Sequence, residues 1–167
     1  MTNNNIKERI FDVFWEGPFD DDNLDDDANC VIYMICGTHG LYGRNVPLYI
    51  GKTGTGSGKD QRTVKKRIAE HKASWINSEP DPVKIYTASI SEFKSWDFNS
   101  KKKEYSPPDD VSIIDAVEAL LIYSHQPVYN QRSKLSPNDA SATLRLFNTG
   151  RRSSLYPEVS GKYYVEQ

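Results

Sequence analysis

The chain has 167 residues, of which 37% are hydrophobic and 26% charged, as is typical of one globular domain that folds without stabilising metals or disulfides. No apolar run approaches the ~20 residues that cross a bilayer, which excludes a helical membrane protein. The first ten residues, MTNNNIKERI, lack the apolar core of a signal peptide, so we expect a cytoplasmic protein with no membrane partner.

Charge is distributed unevenly, although the formal net charge is only -2. Residues 1–30 carry two basic and nine acidic side chains, whereas residues 31–167 carry nineteen basic and fourteen acidic ones. Within 44–103 there are thirteen basic and six acidic side chains. Concentrated positive charge is expected of a protein that binds phosphate groups, but charged residues that only solvate helix surfaces would explain it equally well.

The two cysteines, Cys30 and Cys36, lie six residues apart in what we interpret as one strand. Their separation of about 20 Å exceeds the reach of a disulfide, so we expect two reduced thiols. Neither the cysteines nor the three histidines show the spacing of a zinc site.

The N-terminal segment is predicted to contain a short helix and an acidic linker. Ile6, Ile10, Phe11 and Phe14 have the spacing of an amphipathic helix over residues 5–15. The sequence GPFDDDNLDDD that follows carries too much like charge to fold alone. Its acidic run is interpreted as a solvated spacer, a mask for the basic surface or a segment that binds a partner.

Two strands joined by a hairpin are predicted next. The sequence CVIYMIC at 30–36 is apolar throughout, and its alternation places Tyr33 on the opposite side from its two neighbours. A long loop at 37–46 precedes the second strand, PLYIG at 47–51. The following KTGTGSGKD lacks the glycine spacing of a P-loop, so we expect a flexible loop that can approach a phosphate backbone.

A helix is predicted over residues 61–75. Val64 and Ile68 form its apolar side, and two prolines end it further along the chain. Arg67 and His71 are also four residues apart and border the apolar side, so both side chains are expected at the edge of the sheet.

A second helix is predicted within DDVSIIDAVEALLIYSHQP, where apolar residues recur on one side. Glu118 lies beside that apolar side, next to Val117 and one turn after Ile114. A carboxylate in this position either points outward into solvent or belongs to a site.

The remaining segments carry weaker signals. A third strand is predicted over 83–90, and residues 91–108, with three consecutive lysines, are expected to form an exposed excursion. In the C-terminal tail, a short helix is predicted near 137–147, followed by a packed hairpin or wrap.

Five motifs occur in order along these elements. They are VIY at 31–33, YIG at 49–51 followed by Lys52 and Thr53, VxxRxxxH at 64–71, Glu118 in the apolar helix, and Asn130 in QPVYNQR. Taken together they resemble the GIY-YIG nuclease superfamily, with valine in place of the first glycine and of the leucine in the helix pattern. The resemblance covers about residues 30–132.

The resemblance implies an α/β (α+β) fold in which a small, mainly antiparallel three-stranded β-sheet is flanked by helices. Residues 30–132 would form the GIY-YIG-like nuclease domain. Residues 1–29 would precede it as an N-terminal helix and acidic linker, and residues 133–167 would pack on the same domain as a C-terminal helix and tail.

The implied activity is that of a metal-dependent endonuclease that hydrolyses phosphodiester bonds, with DNA expected over RNA. Mg²⁺ is the expected cofactor, with Mn²⁺ as a substitute. Magnesium accepts one or two carboxylates and fills its other positions with water and phosphate oxygens, so Glu118 alone would suffice as metal ligand. The catalytic set implied by the resemblance is Tyr33, Tyr49, Lys52, Arg67, His71 and Glu118.

Individual roles follow from the same resemblance. Tyr33 is the implied general base, and the cations Lys52 and Arg67 are expected to favour its phenolate form. Arg67 also suits contact with two phosphate oxygens at once, and His71 suits a phosphate donor or a proton relay. The nucleic-acid-binding set is Lys52, Lys59, Arg62, Lys66, Asn130 and Arg132.

Other functions stay open. One alternative is a noncatalytic nucleic-acid or protein-binding module on a GIY-YIG fold, and another is an unrelated α/β domain in which the motifs are accidental. The presence of Tyr33, Arg67 and Glu118 favours activity, because an inert relative would be expected to have lost one of them. A homodimer would suit cleavage of both strands of a duplex.

Overall fold

A single sheet of seven strands organises the chain. The computed structural model describes residues 8–20, 23–24, 31–53, 63–97, 102–108 and 110–165. In chain order the elements are β1 (Arg9–Phe19), β2 (Ile32–His39), β3 (Gly43–Lys52), α1 (Val64–Ser74), β4 (Lys84–Asp97), β5 (Lys102–Ser106), α2 (Val111–His125), β6 (Leu144–Gly150), β7 (Glu158–Ser160) and α3 (Lys162–Val165).

The sheet is mixed and has the strand order β3-β2-β4-β1-β6-β7, with β5 paired to β4. Strands β1 and β6 run parallel, and the other pairs are antiparallel. The predicted small three-stranded sheet is therefore wrong. Strands β2, β3 and β4 do pair with one another, but they form one end of a seven-stranded sheet that curls into a half-barrel.

The helix predicted over residues 5–15 is also wrong, because residues 9–15 belong to β1. Phe11, Val13 and Trp15 are buried and alternate with less buried residues, which is the period of a strand. The segment pairs with β4 on one side and β6 on the other, so it is a strand although Ile10 and Phe14 have helical spacing.

Two further segments differ from prediction because their chain extends into strands. The loop predicted at 37–46 is short, since β2 continues to His39 and β3 begins at Gly43. The excursion predicted at 91–108 is a β4–β5 hairpin over its described residues.

In the tail, a short 3-10 helix (Asp139–Thr143) leads into β6 where a longer helix was predicted. The tail folds back to form a β6–β7 hairpin, but the β6 residues that pair, Arg145 to Phe147, lie in the segment predicted as helix.

The helices α1 and α2 confirm the two main helix predictions, and each begins at a capping side chain. Thr63 accepts a 3.3 Å hydrogen bond from the backbone N–H of Lys66, and Asp110 accepts one of 2.9 Å from Ser112. None of the helices formed by the described residues is long and apolar enough to cross a membrane.

The two helices cover opposite faces of the sheet and generate two cores. Helix α2 packs with Ile32, Met34 and Ile50, whereas Val64 and Ile68 of α1 pack with residues on the other face. Because successive side chains of a strand alternate between faces, Tyr33 and Ile35 of β2 belong to the α1 core. Any site that uses both helices must therefore reach around the edge strand β3.

Glu92 joins β4 to β1 through a buried carboxylate. It accepts two hydrogen bonds of 2.7 Å from the guanidinium of Arg9 and one of 2.6 Å from Lys94. The hydrogen bond from Arg9 has the largest effect on the pKa of Glu92 and lowers it, whereas burial raises it. With the contribution of Lys94, the pKa falls to about 2.

Replacement of Glu92 by glutamine tests this pair. The pKa of the folded state is depressed, so the interaction stabilises the fold above about pH 4.5 and is lost as the pH falls toward 2. Glu92→Gln should lower the free energy of unfolding by up to about 3 kcal/mol at neutral pH and much less near pH 2.5, measured by urea unfolding. Equal losses at both pH values would contradict this explanation, and the exposed Glu16→Gln is the control.

Candidate active site

The exposed edge of β3 is closed by the segment that follows α2. Asn130 accepts a 2.9 Å hydrogen bond from the backbone N–H of Ile50 and donates one of 2.8 Å to the carbonyl of the same residue. The backbone N–H of Tyr129 also donates to Leu48 at 2.8 Å. Both ends of the Asn130 amide are thus used by the strand, so its main role here is to cover a sheet edge.

Tyr33 and Tyr49 stack on the α1 side of this edge, with ring centroids 6.0 Å apart. Tyr33 lies directly opposite Gly51 in the β2–β3 pairing. A Cβ atom on Gly51 would lie 2.6 Å from the Tyr33 hydroxyl oxygen and 2.7 Å from the Tyr49 ring. The glycine of the YIG motif is therefore required by the close approach of two aromatic rings.

The hydroxyl oxygen of Tyr33 lies between two side chains of α1. His71 Nε2 is 2.9 Å away, and Arg67 Nε donates a 3.2 Å hydrogen bond to it. The i, i+4 spacing of Arg67 and His71 thus serves a shared contact with Tyr33. Arg67 is further held by Glu70, whose carboxylate accepts a 2.8 Å hydrogen bond from its terminal nitrogen.

Burial governs the protonation of this group. It raises the pKa of Tyr33 well above the ordinary value, Tyr49 raises it further, and Arg67 opposes both through its charge and hydrogen bond. The expectation that neighbouring cations favour the phenolate is therefore outweighed, and Tyr33 is a phenol at neutral pH. Burial and the Arg67 charge lower the pKa of His71 to about 4, so its imidazole is neutral.

A cleft of about 640 Å³ opens around the edge of β3, between α1, α2 and the segment after α2. It brings together six of the sequence-predicted residues: Tyr49, Lys52, Arg67, Glu118, Asn130 and Arg132. Three of these are cations and one is a carboxylate. The combination suits an anionic ligand held beside a metal-binding or proton-accepting group.

Glu118 reaches the cleft from the α2 side and is half-buried. Burial raises its pKa, whereas the Lys52 charge, a hydrogen bond from the Lys52 backbone N–H and the Arg67 charge lower it. The side chain therefore lines the cleft and is not fully exposed, and its membership of a functional site stays a prediction. The cations that face it are the ones predicted for phosphate contact.

Asp115 is a neighbour that sequence reasoning missed. It lies one turn before Glu118 on α2, and its carboxylate pairs with the ammonium group of Lys52. The signal was its i, i+3 spacing from Glu118, which places both side chains on neighbouring positions of the helix surface.

The other predicted residues that the structure describes do not line the cleft. Tyr33 is fully buried behind Tyr49, and His71 is half-buried with both ring nitrogens hydrogen-bonded within the protein. Lys66 is exposed on α1 and does not line the cleft. Lys59 and Arg62 lie outside the described residues.

No protein-family model, curated protein or solved structure matches the chain. Its function is therefore inferred from the chemistry of the cleft and of the residues behind it.

Gly51→Ala tests whether the two tyrosines depend on the missing side chain. The new methyl group would overlap both rings in a packed core, and we expect a loss of about 1–3 kcal/mol in the free energy of unfolding. The matched control is Gly40→Ala, because a Cβ there meets no atom within 4 Å. Similar unfolding midpoints for the two variants would contradict the packing argument.

Proposed function

We propose that the chain is a metal-dependent endonuclease that hydrolyses phosphodiester bonds, with DNA as the favoured substrate. The observation that carries this proposal is the cleft that one half-buried carboxylate, Glu118, lines together with the cations Lys52, Arg67 and Arg132. The chemistry proposed is that of GIY-YIG nucleases, although the sheet is larger than the resemblance implied.

The cations give the cleft its preference for a phosphodiester. The guanidinium of Arg67 donates hydrogen bonds to Tyr33 through Nε and to Glu70 through Nη1, so its plane is fixed in the cleft wall. A fixed guanidinium can stabilise the charge that develops on nonbridging phosphate oxygens without reorganising first. Arg132 is exposed at the cleft, where it suits contact with the neighbouring backbone of the nucleic acid.

The carboxylates fit a hard divalent cation. Across the described residues, no three His, Cys, Asp or Glu side chains cluster as in a cage built entirely by protein. Glu118 offers oxygen ligands at the cleft and Asp115 lies one turn away, which fits Mg²⁺ or Mn²⁺ completed by water and phosphate oxygens. When bound, the cation supplies positive charge to the scissile phosphate and the leaving oxygen.

Tyr33 is the proposed general base. The oxygen of the attacking water forms a bond to phosphorus while its proton passes to the phenolate oxygen of Tyr33. The bond from phosphorus to the 3′ oxygen breaks, and that oxygen takes a proton from solvent. The raised pKa makes Tyr33 a strong base that is rarely deprotonated at neutral pH. Because Tyr33 is fully buried, the ring of Tyr49 must shift to admit the water.

Two further proposals accompany this one. A homodimer would provide two clefts for the two strands of a duplex. A cytoplasmic location agrees with Cys36, which is a buried free thiol on β2.

Glu118→Gln tests the carboxylate, since it keeps the shape of the side chain and removes its charge. We expect loss of Mg²⁺-dependent cleavage of plasmid DNA by at least about a hundredfold, with binding of DNA still measurable by fluorescence anisotropy. The exposed Glu16→Gln should cleave normally. Undiminished turnover in Glu118→Gln would refute the metal assignment. Binding without cleavage in the unaltered protein, with Mg²⁺ or Mn²⁺, would favour the noncatalytic alternative.

Tyr33→Phe tests the base together with the direction of its pKa. Since the pKa is raised, the phenolate fraction increases with pH, and the cleavage rate should rise about tenfold per pH unit between about pH 7 and 9. Tyr33→Phe should lose at least about a hundredfold in rate together with this slope. Tyr49→Phe is the comparison and should keep the slope. The reverse pattern would assign the base to Tyr49.

A further inference from the structure

We propose that Trp75 is a positioning residue that fixes the tautomer of His71 and thereby fixes how the hydroxyl of Tyr33 bonds. This inference rests on the proposed function only in assigning Trp75 a part in the same site. It is carried by a chain of three side chains, Trp75, His71 and Tyr33, linked by two hydrogen bonds.

Trp75 is held beside His71 on several sides. It ends α1, where its backbone N–H donates a 2.8 Å hydrogen bond to the carbonyl of His71. Its indole ring meets the imidazole of His71 edge-on, with ring centroids 5.7 Å apart. It also packs against the ring of Tyr129, with centroids 4.5 Å apart. The indole Nε1 therefore has a defined direction, and it lies 3.1 Å from His71 Nδ1.

This contact decides which nitrogen of His71 carries the proton. The indole N–H is only a donor, so Nδ1 must present its lone pair. A neutral imidazole with an unprotonated Nδ1 carries its hydrogen on Nε2. The burial that keeps His71 neutral supports the same state. His71 therefore donates from Nε2 to the Tyr33 oxygen across 2.9 Å.

The Tyr33 oxygen then receives two donors, because the Nε–H of Arg67 also points to it. A phenol oxygen has two lone pairs, and both are occupied, so its own proton is directed away from Arg67 and His71. In the phenolate, the position vacated by this proton is the one left to receive a proton from water. The two donors thus hold the oxygen in the same geometry in both states.

The other tautomer would undo this arrangement. With the hydrogen on Nδ1, the Nε2 lone pair of His71 would accept the hydroxyl proton of Tyr33 and turn it toward α1. A phenolate would face that lone pair without a hydrogen bond. Loss of the Trp75 donor should therefore affect the proton-transfer step more than the binding of nucleic acid.

His125 provides an internal reference for the tautomer. Its Nε2 accepts a 2.9 Å hydrogen bond from the backbone N–H of Tyr156, and its Nδ1 lies 2.9 Å from the carbonyl of Leu121. By the same reasoning, His125 carries its hydrogen on Nδ1. The two histidines should therefore be opposite tautomers in one protein.

The first experiment reads the tautomers without any assay of activity. Long-range ¹H–¹⁵N correlation spectra of the labelled full chain should show the Nε2–H form at His71 and the Nδ1–H form at His125. In Trp75→Phe, which keeps an aromatic ring and removes the donor, the Nδ1–H form should appear at His71 while His125 is unchanged. An Nδ1–H form at His71 in the unaltered protein, or an unchanged His71 in Trp75→Phe, would overturn the inference.

The second experiment connects the tautomer to the reaction. Trp75→Phe should lower kcat for DNA cleavage by about tenfold to a hundredfold with KM nearly unchanged, which is the scale for loss of a partner that orients a functional histidine. Trp96→Phe, in the β4–β5 hairpin, is the matched control, and its kcat and KM should both be unchanged. A changed tautomer with unchanged kcat would overturn the positioning role. If the unaltered protein cleaves no substrate, the proposed function fails, and the spectra still decide the tautomer.

Discussion

The site depends on the crossing of the Tyr33 ring over Gly51. This crossing lets a tyrosine hydroxyl enter the core beneath α1, where Arg67 and His71 of that helix contact it. A buried hydroxyl without partners costs free energy, so Arg67 and His71 are required by the fold as well as useful to the chemistry. The pairing of β2 with β3 therefore also determines where the side chains of Arg67 and His71 must point.

A second consequence of the fold is that the cleft uses both faces of the sheet. Tyr49 and Arg67 approach from the α1 face, and Glu118 approaches from the α2 face. They meet because β3 is an edge strand whose outer side is covered by Asn130 and its neighbours. Covering the edge prevents pairing with another chain, and it also builds one wall of the cleft.

Elements with strong local signals were predictable from the sequence. Helix α2 has a continuous apolar stripe, α1 has the apolar pair Val64 and Ile68, and both begin at capping side chains. Strand β2 begins with an apolar run. Strand β1 was mistaken for a helix because the aromatic residues around Phe11 satisfy both periods over a few positions. The segment forms a strand because it pairs with β4 and β6. Both lie far along the chain, so the pairing could not be predicted from the local sequence.

The same limit applies to the cleft. The motif residues identified Tyr49, Arg67 and Glu118 as members of one site, and the cleft contains all three. Trp75 and Asp115 were missed because they lie outside the motifs, although each is one helical turn from a motif residue. The Tyr33 protonation argument was reversed for another reason. It counted Lys52 and Arg67 as neighbours, whereas Lys52 pairs with Asp115, and burial outweighs the effect of Arg67 on the pKa of Tyr33.

The ion pair between Lys52 and Asp115 changes how the cleft responds to a polyanion. The ammonium group of Lys52 already pairs with the carboxylate of Asp115. A phosphate that binds Lys52 would therefore have to displace this carboxylate. Exposed pairs of this kind contribute about 0–1 kcal/mol, which makes the replacement inexpensive in either direction. Lys52 would then help to distinguish one oxyanion from another, and Arg67, whose guanidinium is paired with Glu70, would exchange partners in the same way. Long-range attraction and its dependence on ionic strength would come mainly from Arg132.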